Sequence, residues 1–125
     1  MPKALIVWGG WRGHQPEEVA HIFKRILEGE NFEVEIENDL QAFADEAHLR
    51  SLDLIIPIWT MDRIDKKLVN HVSAAVQNGV GLAGCHGGMC DAFRENVDWQ
   101  FMTGGQWVAH PGNDGVEYTV NIVSH

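Results

Sequence analysis

The sequence predicts an α/β domain in which a mostly parallel sheet is covered by helices on both faces. Residues 4–8, 54–58 and 80–83 form short apolar runs without alternation, a pattern typical of strands buried on both faces. Amphipathic helical patterns, residues 16–27 and 65–77, lie between these runs. Because strands that alternate with helices usually form parallel sheets, we predict that the three strands are adjacent and parallel.

The remaining elements are less strongly marked. Residues 32–36 alternate and predict a strand near the sheet edge, and residues 40–49 predict a weak helix. Residues 89–99 predict one helix, and residues 116–123 predict a last strand with no covering helix after it. We therefore expect residues 1–125 to form a single domain that lacks its C-terminal part, with apolar surface uncovered near residues 116–123.

Composition excludes several classes of partner. The chain has 18 acidic and 9 basic residues, a net charge of −9, which argues against binding to nucleic acid or to an anionic membrane. No segment approaches the roughly 20 apolar residues of a membrane span, and no signal peptide is recognisable. Cys85 and Cys90, the only cysteines, are typical of free thiols in a reducing compartment, so we expect a cytoplasmic protein.

The strongest functional signal is the segment Gly84-Cys85-His86-Gly87-Gly88, which lies between a predicted strand and a predicted helix. A nucleophile elbow has this arrangement, because its sharp turn needs small neighbours. Cys85 is therefore a candidate nucleophile, although a cysteine at a strand end is often only a small buried residue. His86 is a candidate to border the same pocket, and Gly87 and Gly88 are candidates to contact a substrate.

The loop after the first strand is a second candidate site. It contains Gly10, Trp11, Arg12 and His14, and its glycines would let the backbone approach a ligand closely. Trp11 could stack on a sugar or another ring, Arg12 could contact substrate, and His14 could act as an acid, a base or a ligand. The loop matches neither the dinucleotide-binding nor the P-loop pattern.

A third candidate is the glycine-rich and aromatic-rich stretch of residues 104–112. Long stretches of this kind inside a compact domain are usually functional or flexible. Trp107 is a candidate for substrate binding and His110 for catalysis. Because ligands of parallel sheets bind beyond the carboxyl ends of the strands, we expect His14, Cys85, His86 and His110 around one pocket there. Residues 104–112 would fold over that edge as a lid.

These segments together resemble the ThuA-like (trehalose utilisation) family within the class I glutamine amidotransferase-like superfamily. The matching parts are residues 3–10 with Gly13-His14, and residues 53–61, 78–82, 83–88 and 104–112. The resemblance implies a flavodoxin-like three-layer α/β sandwich and a role in disaccharide or other carbohydrate metabolism. The Cys-His pair also resembles the elbow of the DJ-1/PfpI relatives, whereas the His-x-Glu pair of true amidotransferases is not found, which argues against glutamine hydrolysis.

Three hypotheses follow, and the sequence leaves open whether the protein is an enzyme. In the first, the protein binds or acts on a sugar, with the histidines His14, His86 and His110 as acid–base groups and the tryptophans stacking on the ring. The second is a cysteine-dependent hydrolase of the DJ-1/PfpI type. The third is a non-catalytic ligand-binding or oligomerisation module. No cofactor is expected, although three histidines could surround one divalent metal ion.

Overall fold

A computed structural model describes residues 1–124 and shows an α/β domain with a four-stranded, all-parallel sheet in the order β2-β1-β3-β4. The strands are β1 (Lys3–Gly10), β2 (Glu33–Glu37), β3 (Leu54–Thr60) and β4 (Gly81–Leu82). The helices are α1 (Pro16–Gly29), α2 (Glu46–Arg50), α3 (Lys66–Gln77), α4 (Gly87–Cys90) and α5 (Val97–Thr103). This arrangement confirms the α/β prediction and agrees with a flavodoxin-like three-layer sandwich.

Helices cover both faces of the sheet, because alternate residues of the central strands enter different cores. Leu5 and Val7 of β1 point to the face that α2, α3 and α5 cover, whereas Ile6 points to the face that α1 covers. All three side chains are at most 1% exposed. Full burial of one such side chain stabilises the fold by about 1.5–3 kcal/mol, so the apolar run of β1 holds the two layers together.

The predicted neighbours are confirmed, since β3 pairs in parallel with both β1 and β4. Pro57 lies inside β3 although proline cannot donate to a ladder. The pairing of β3 with β4 ends at Ile55, opposite Leu82, with one further bond from the Ala83 N–H to the Ile55 carbonyl. Backbone groups of parallel strands alternate in direction, so the nitrogen of Pro57 faces the side on which β4 has already ended. The proline therefore removes no ladder bond.

Two predicted helices are in fact broken. Residues 40–49 form a 3-10 turn (Leu40–Phe43) and then α2, because the Asp45 carboxylate accepts the His48 N–H and starts a new helix. The predicted helix over residues 89–99 is likewise wrong. It is interrupted after Cys90, and α5 begins where the Asn96 side chain accepts the Trp99 N–H at 2.9 Å.

The predicted strand over residues 116–123 is wrong for the part of the chain that the structure describes. The segment has no regular structure there and pairs with no strand of the sheet. Its apolar side chains are exposed, from 49% for Val116 to 93% for Val123, as the prediction of uncovered apolar surface requires. Whether the domain continues further stays a prediction, and His125 lies outside the described residues. No helix of residues 1–124 is both long and apolar enough to cross a membrane.

Candidate functional site

The candidate site lies at the carboxyl edge of the sheet, where the loops after β1, β3 and β4 meet. All strands run in the same direction, so the segments that follow them emerge at one edge. The last residues of β1 and β3, Gly10 and Thr60, stand opposite each other in the register. The Trp11 N–H donates to the Thr60 carbonyl at 2.9 Å, so the first loop is attached to the end of β3.

Five aromatic and imidazole rings form a continuous series across this edge. The ring centroids are 4.8 Å apart for Trp11 and His14, and 4.9 Å apart for His14 and His86. The series continues from His86 to Trp107 at 5.8 Å and from Trp107 to His110 at 4.9 Å. We call these five residues the ring series. It unites three of the four histidine and cysteine candidates, together with both predicted stacking tryptophans.

The ring series lines a cavity of about 540 Å³, which we call the main cavity. Ligand sites for small molecules usually measure about 300–1,000 Å³ and combine apolar walls with a few polar groups. The Trp107 N–H donates to the Cys90 carbonyl at 2.7 Å, which brings the predicted lid segment onto the edge. The other residues of the wall are Met61, Gly87, Asp91, Arg94, Val108, Ala109, Asn113 and Asp114.

His14 is held in position by its surroundings. Its Nδ1 atom lies 2.9 Å from the hydroxyl of Thr60, a bond in which either group can donate, depending on the tautomer. Thr60 is 2% exposed, so its hydroxyl has little access to water. Gly87 leaves room for the ring, because a Cβ at Gly87 would lie 2.8 Å from Cε1 of His14. The small residue type at position 87 therefore serves the placement of His14.

The pKa of His14 lies below its ordinary value of 6.5, first because burial disfavours the charged ring and second because of repulsion by His86. Attraction to Asp91 opposes both effects. His14 is therefore mostly neutral at pH 7, with one nitrogen able to accept a proton. Such a group fits the role of a general base or of a hydrogen-bonding partner for a hydroxyl.

The strained residue of the turn after β4 is His86, and not Cys85. His86 has φ 53° and ψ −148°, a conformation that costs a non-glycine residue about 1–3 kcal/mol. Strain of this kind persists where the surrounding structure determines it, and it often occurs at functional sites. The turn therefore directs an imidazole, rather than a thiol, into the main cavity.

Cys85 lies outside the main cavity. It is exposed, and it borders a smaller cavity of about 190 Å³ that it shares with His14, His86 and Gly88, among others. Gly88 contacts the backbone of β3, where an added Cβ would lie 3.3 Å from Cα of Ile58. Cys85, the predicted nucleophile, therefore does not face the main cavity. It is nevertheless close to His14 and His86, which border both cavities.

Two further predicted contacts lie elsewhere. Gly10 and Arg12 line a different cavity of about 310 Å³, beside Trp8 and Trp59, and not the main cavity. The reason is the 3-10 turn Arg12–His14, which turns Arg12 away while it brings His14 inward. Trp11 packs over Gly13, where a Cβ would lie 2.2 Å from the indole ring. This close approach explains the glycine at position 13.

The cavity wall also contains an ion pair, Asp91 and Arg94, that was not among the residues predicted from the sequence. The buried Asp91 carboxylate accepts two hydrogen bonds from Arg94, at 2.5 Å from Nε and 3.0 Å from Nη2. These bonds and the nearby negative charge raise the pKa of Arg94 above its ordinary value. Only their spacing of three residues marked the pair in the sequence, and that spacing is common in solvated helix pairs.

No group of three or more His, Cys, Asp or Glu side chains within residues 1–124 is arranged to hold a metal ion. In the ring series, Trp107 stands between His86 and His110. The three histidines are therefore not gathered around one point that an ion could occupy.

The pKa of His14 gives a first testable prediction. The His86→Ala replacement removes a repelling neighbour and exposes the ring, so we expect the pKa of His14 to rise toward 6.5. Asp91→Asn should lower it further, because the attracting charge is lost while Arg94 stays. An NMR titration of the histidine Cε1 protons measures both shifts. Equal pKa values of His14 in the three proteins would contradict this description of the site.

The same shift predicts a pH dependence of stability. The folded-state pKa of His14 is lower than its unfolded value. The contribution of the neutral His14 ring to the free energy of unfolding is therefore fully present above about pH 6.5. That contribution is lost as the pH falls through the folded-state pKa.

The fold and the site together define a flavodoxin-like three-layer α/β protein with an aromatic and histidine-lined cavity at the carboxyl edge of its sheet. The chain belongs to the ThuA family, described as trehalose utilisation, whose family model matches residues 3–125. Neither curated proteins nor solved structures gave a significant match to the chain.

Proposed function

We propose that this ThuA-family protein binds a sugar, such as a disaccharide or a derivative of one, in the main cavity. The observation that carries the proposal is the ring series, which places two indoles and three imidazoles along one cavity of about 540 Å³. Indole rings offer apolar faces for the C–H faces of a sugar, and imidazoles can exchange hydrogen bonds and protons with its hydroxyls. The family description supports the same class of ligand.

In this proposal the imidazoles are the acid–base groups. His14 accepts the hydrogen bond of a ligand hydroxyl, since its lowered pKa keeps it neutral at pH 7. His86 stands beside it in the turn after β4, and His110 closes the far end of the ring series. A non-catalytic binding protein would use the same cavity without turnover, so product analysis after binding separates these two readings.

We also propose a cytoplasmic location, which the free state of Cys85 and Cys90 supports.

The hydrolase of the DJ-1/PfpI type is less well supported by the geometry. A cysteine nucleophile needs a base and a bound substrate within reach. Cys85 is exposed and does not line the main cavity, whereas His86 occupies the strained position of the turn.

The proposal is tested by calorimetric titration of the protein with trehalose, maltose and glucose. We expect Trp107→Ala to weaken sugar binding about tenfold, because the loss of about 50 Å² of buried ring face costs about 1.3 kcal/mol. Phe101→Ala is the matched control, since Phe101 is also a large aromatic residue, is 82% exposed and lies outside the main cavity. Equal affinities for the two variants, or no sugar binding by the unmodified protein, would contradict the proposal.

A further inference from the structure

A second cavity adjoins the main cavity and shares part of its wall. It measures about 350 Å³ and is lined by Met61, Asp62, Arg63, Arg94 and Glu95; we call it the side cavity. Met61 and Arg94 line both cavities. A ligand that is longer than one ring could therefore extend from the main cavity past these two side chains into the side cavity.

The border between the cavities is fixed by hydrogen bonds to the segment after α4. The Met61 N–H donates to the Asp91 carbonyl at 2.7 Å, and the Asp62 N–H donates to the Ala92 carbonyl at 2.9 Å. The Trp59 indole N–H also donates to the Asp62 carboxylate at 3.0 Å. Met61 and Asp62 are therefore attached both to β3, through Trp59, and to the residues that follow α4.

The conformation of Met61 points to a role for this border beyond packing. Met61 has φ 53°, in the left-handed region that non-glycine residues rarely adopt. Its side chain is 41% exposed, so burial of an apolar group does not account for the strain. Backbone strain of this kind clusters at ligand sites, where the surrounding structure fixes an unfavourable residue in a useful position.

The side chains around the side cavity suit a hydroxylated ligand. Arg94 uses two of its five N–H groups on Asp91, which leaves three for other partners. Arg63 and Glu95 form an ion pair at 3.0 Å and are 83% and 68% exposed, so both can reach a bound molecule. The lining carries two carboxylates, Asp62 and Glu95, and two guanidinium groups, of which Arg94 is already paired with the carboxylate of Asp91, so no positive charge is left in excess. This balance favours uncharged hydroxyl groups over a phosphate or a carboxylate.

We infer that the side cavity is a second subsite, which binds the second ring of a two-ring neutral sugar while the ring series holds the first. The inference rests on the proposed function, because it presupposes a sugar in the main cavity. Met61 lies between the two rings, and Arg94 donates hydrogen bonds near their junction. Arg63 and Glu95 contact only the second ring.

The test compares a two-ring probe, trehalose, with a one-ring probe, methyl α-D-glucopyranoside, by calorimetric titration. In Arg63→Ala, trehalose binding should weaken about fivefold, the effect of one lost hydrogen bond, while one-ring binding stays unchanged. Arg50→Ala is the matched control, because Arg50 also forms an exposed ion pair, with Glu46 on α2, away from both cavities. It should change neither affinity.

The outcomes separate the two proposals. If both probes bind and Arg63→Ala affects neither, or weakens both equally, the second subsite is overturned while sugar binding in the main cavity stands. If neither probe binds the unmodified protein, the proposed function fails and the subsite fails with it. Selective loss of trehalose binding supports both.

Discussion

The Gly10→Ala replacement is expected to destabilise the fold by about 3 kcal/mol or more. Gly10 has φ +73°, and a Cβ there would lie 2.3 Å from the carbonyl oxygen of Thr60 and 2.8 Å from its nitrogen. Both obstructing atoms are backbone atoms of β3, so no side-chain movement can relieve the clash. The ends of β1 and β3 would have to separate. Thermal denaturation should show a melting temperature lower by more than about 10 °C.

Gly29→Ala is the control for this prediction. Gly29 is the last residue of α1, and an added Cβ would meet nothing within 4 Å. Alanine is the better helix former by about 1 kcal/mol, so this variant should be as stable as the unmodified protein or slightly more stable. Should both variants melt at the same temperature, the close approach of Gly10 to Thr60 would be wrong.

Replacing His86 with glycine is expected to abolish sugar binding while the fold becomes slightly more stable. Glycine adopts positive φ values without steric strain, so relief of about 1–3 kcal/mol should exceed the cost of a more flexible unfolded chain, about 0.5–1 kcal/mol. Binding should be lost because the ring series is interrupted at its centre, between His14 and Trp107. Calorimetric titration and chemical denaturation of the same sample measure the two effects.

Two companion variants sharpen this test. His86→Ala removes the ring and keeps a Cβ in the strained position, so binding should be lost without a gain in stability. Cys85→Ser should leave sugar binding within about twofold of the unmodified protein, because Cys85 lies outside the main cavity. Loss of binding or of activity in Cys85→Ser, with His86→Ala unaffected, would instead favour the cysteine-dependent hydrolase.

The sheet could be predicted from the sequence because its signal is local. The apolar runs of β1 and β3 have no alternation. This pattern is typical of strands that are buried on both faces and therefore need apolar side chains on both. Parallel connectivity then placed the loops after β1 and β4 at one edge, and the contact between His14 and His86 agrees with that reasoning.

The wrong elements have causes that single-residue patterns do not show. A strand was predicted for residues 116–123, but a strand also needs a neighbour to pair with, and none pairs with it in the part of the chain described here. The helix predicted for residues 89–99 is interrupted because Asp91 bonds to Arg94 and Asn96 caps a new helix. Both outcomes depend on side-chain hydrogen bonds or on tertiary pairing, which hydrophobic periodicity does not report.

The site residues that were missed are polar groups brought in by the fold. Thr60 ends a buried strand, and only its position opposite the first loop makes its hydroxyl a partner of His14. Met61 carries no composition signal, since its left-handed backbone becomes visible only in three dimensions. Conversely, Arg12 belongs to the right loop but the 3-10 turn directs it into another cavity.

Binding of a sugar by the ring series can be followed through the five tryptophan indole signals in an NMR titration with trehalose. Trp11 and Trp107 belong to the ring series, whereas Trp8, Trp59 and Trp99 do not line the main cavity. Binding with a Kd of about 1 mM or tighter is readily followed in this way. We expect the Trp11 and Trp107 signals to shift progressively as the sugar concentration rises, while the other three signals stay in place. No shift of any indole signal would contradict sugar binding by the ring series. Shifts confined to Trp8 and Trp59, which line the cavity of about 310 Å³ beside Gly10 and Arg12, would contradict it as well.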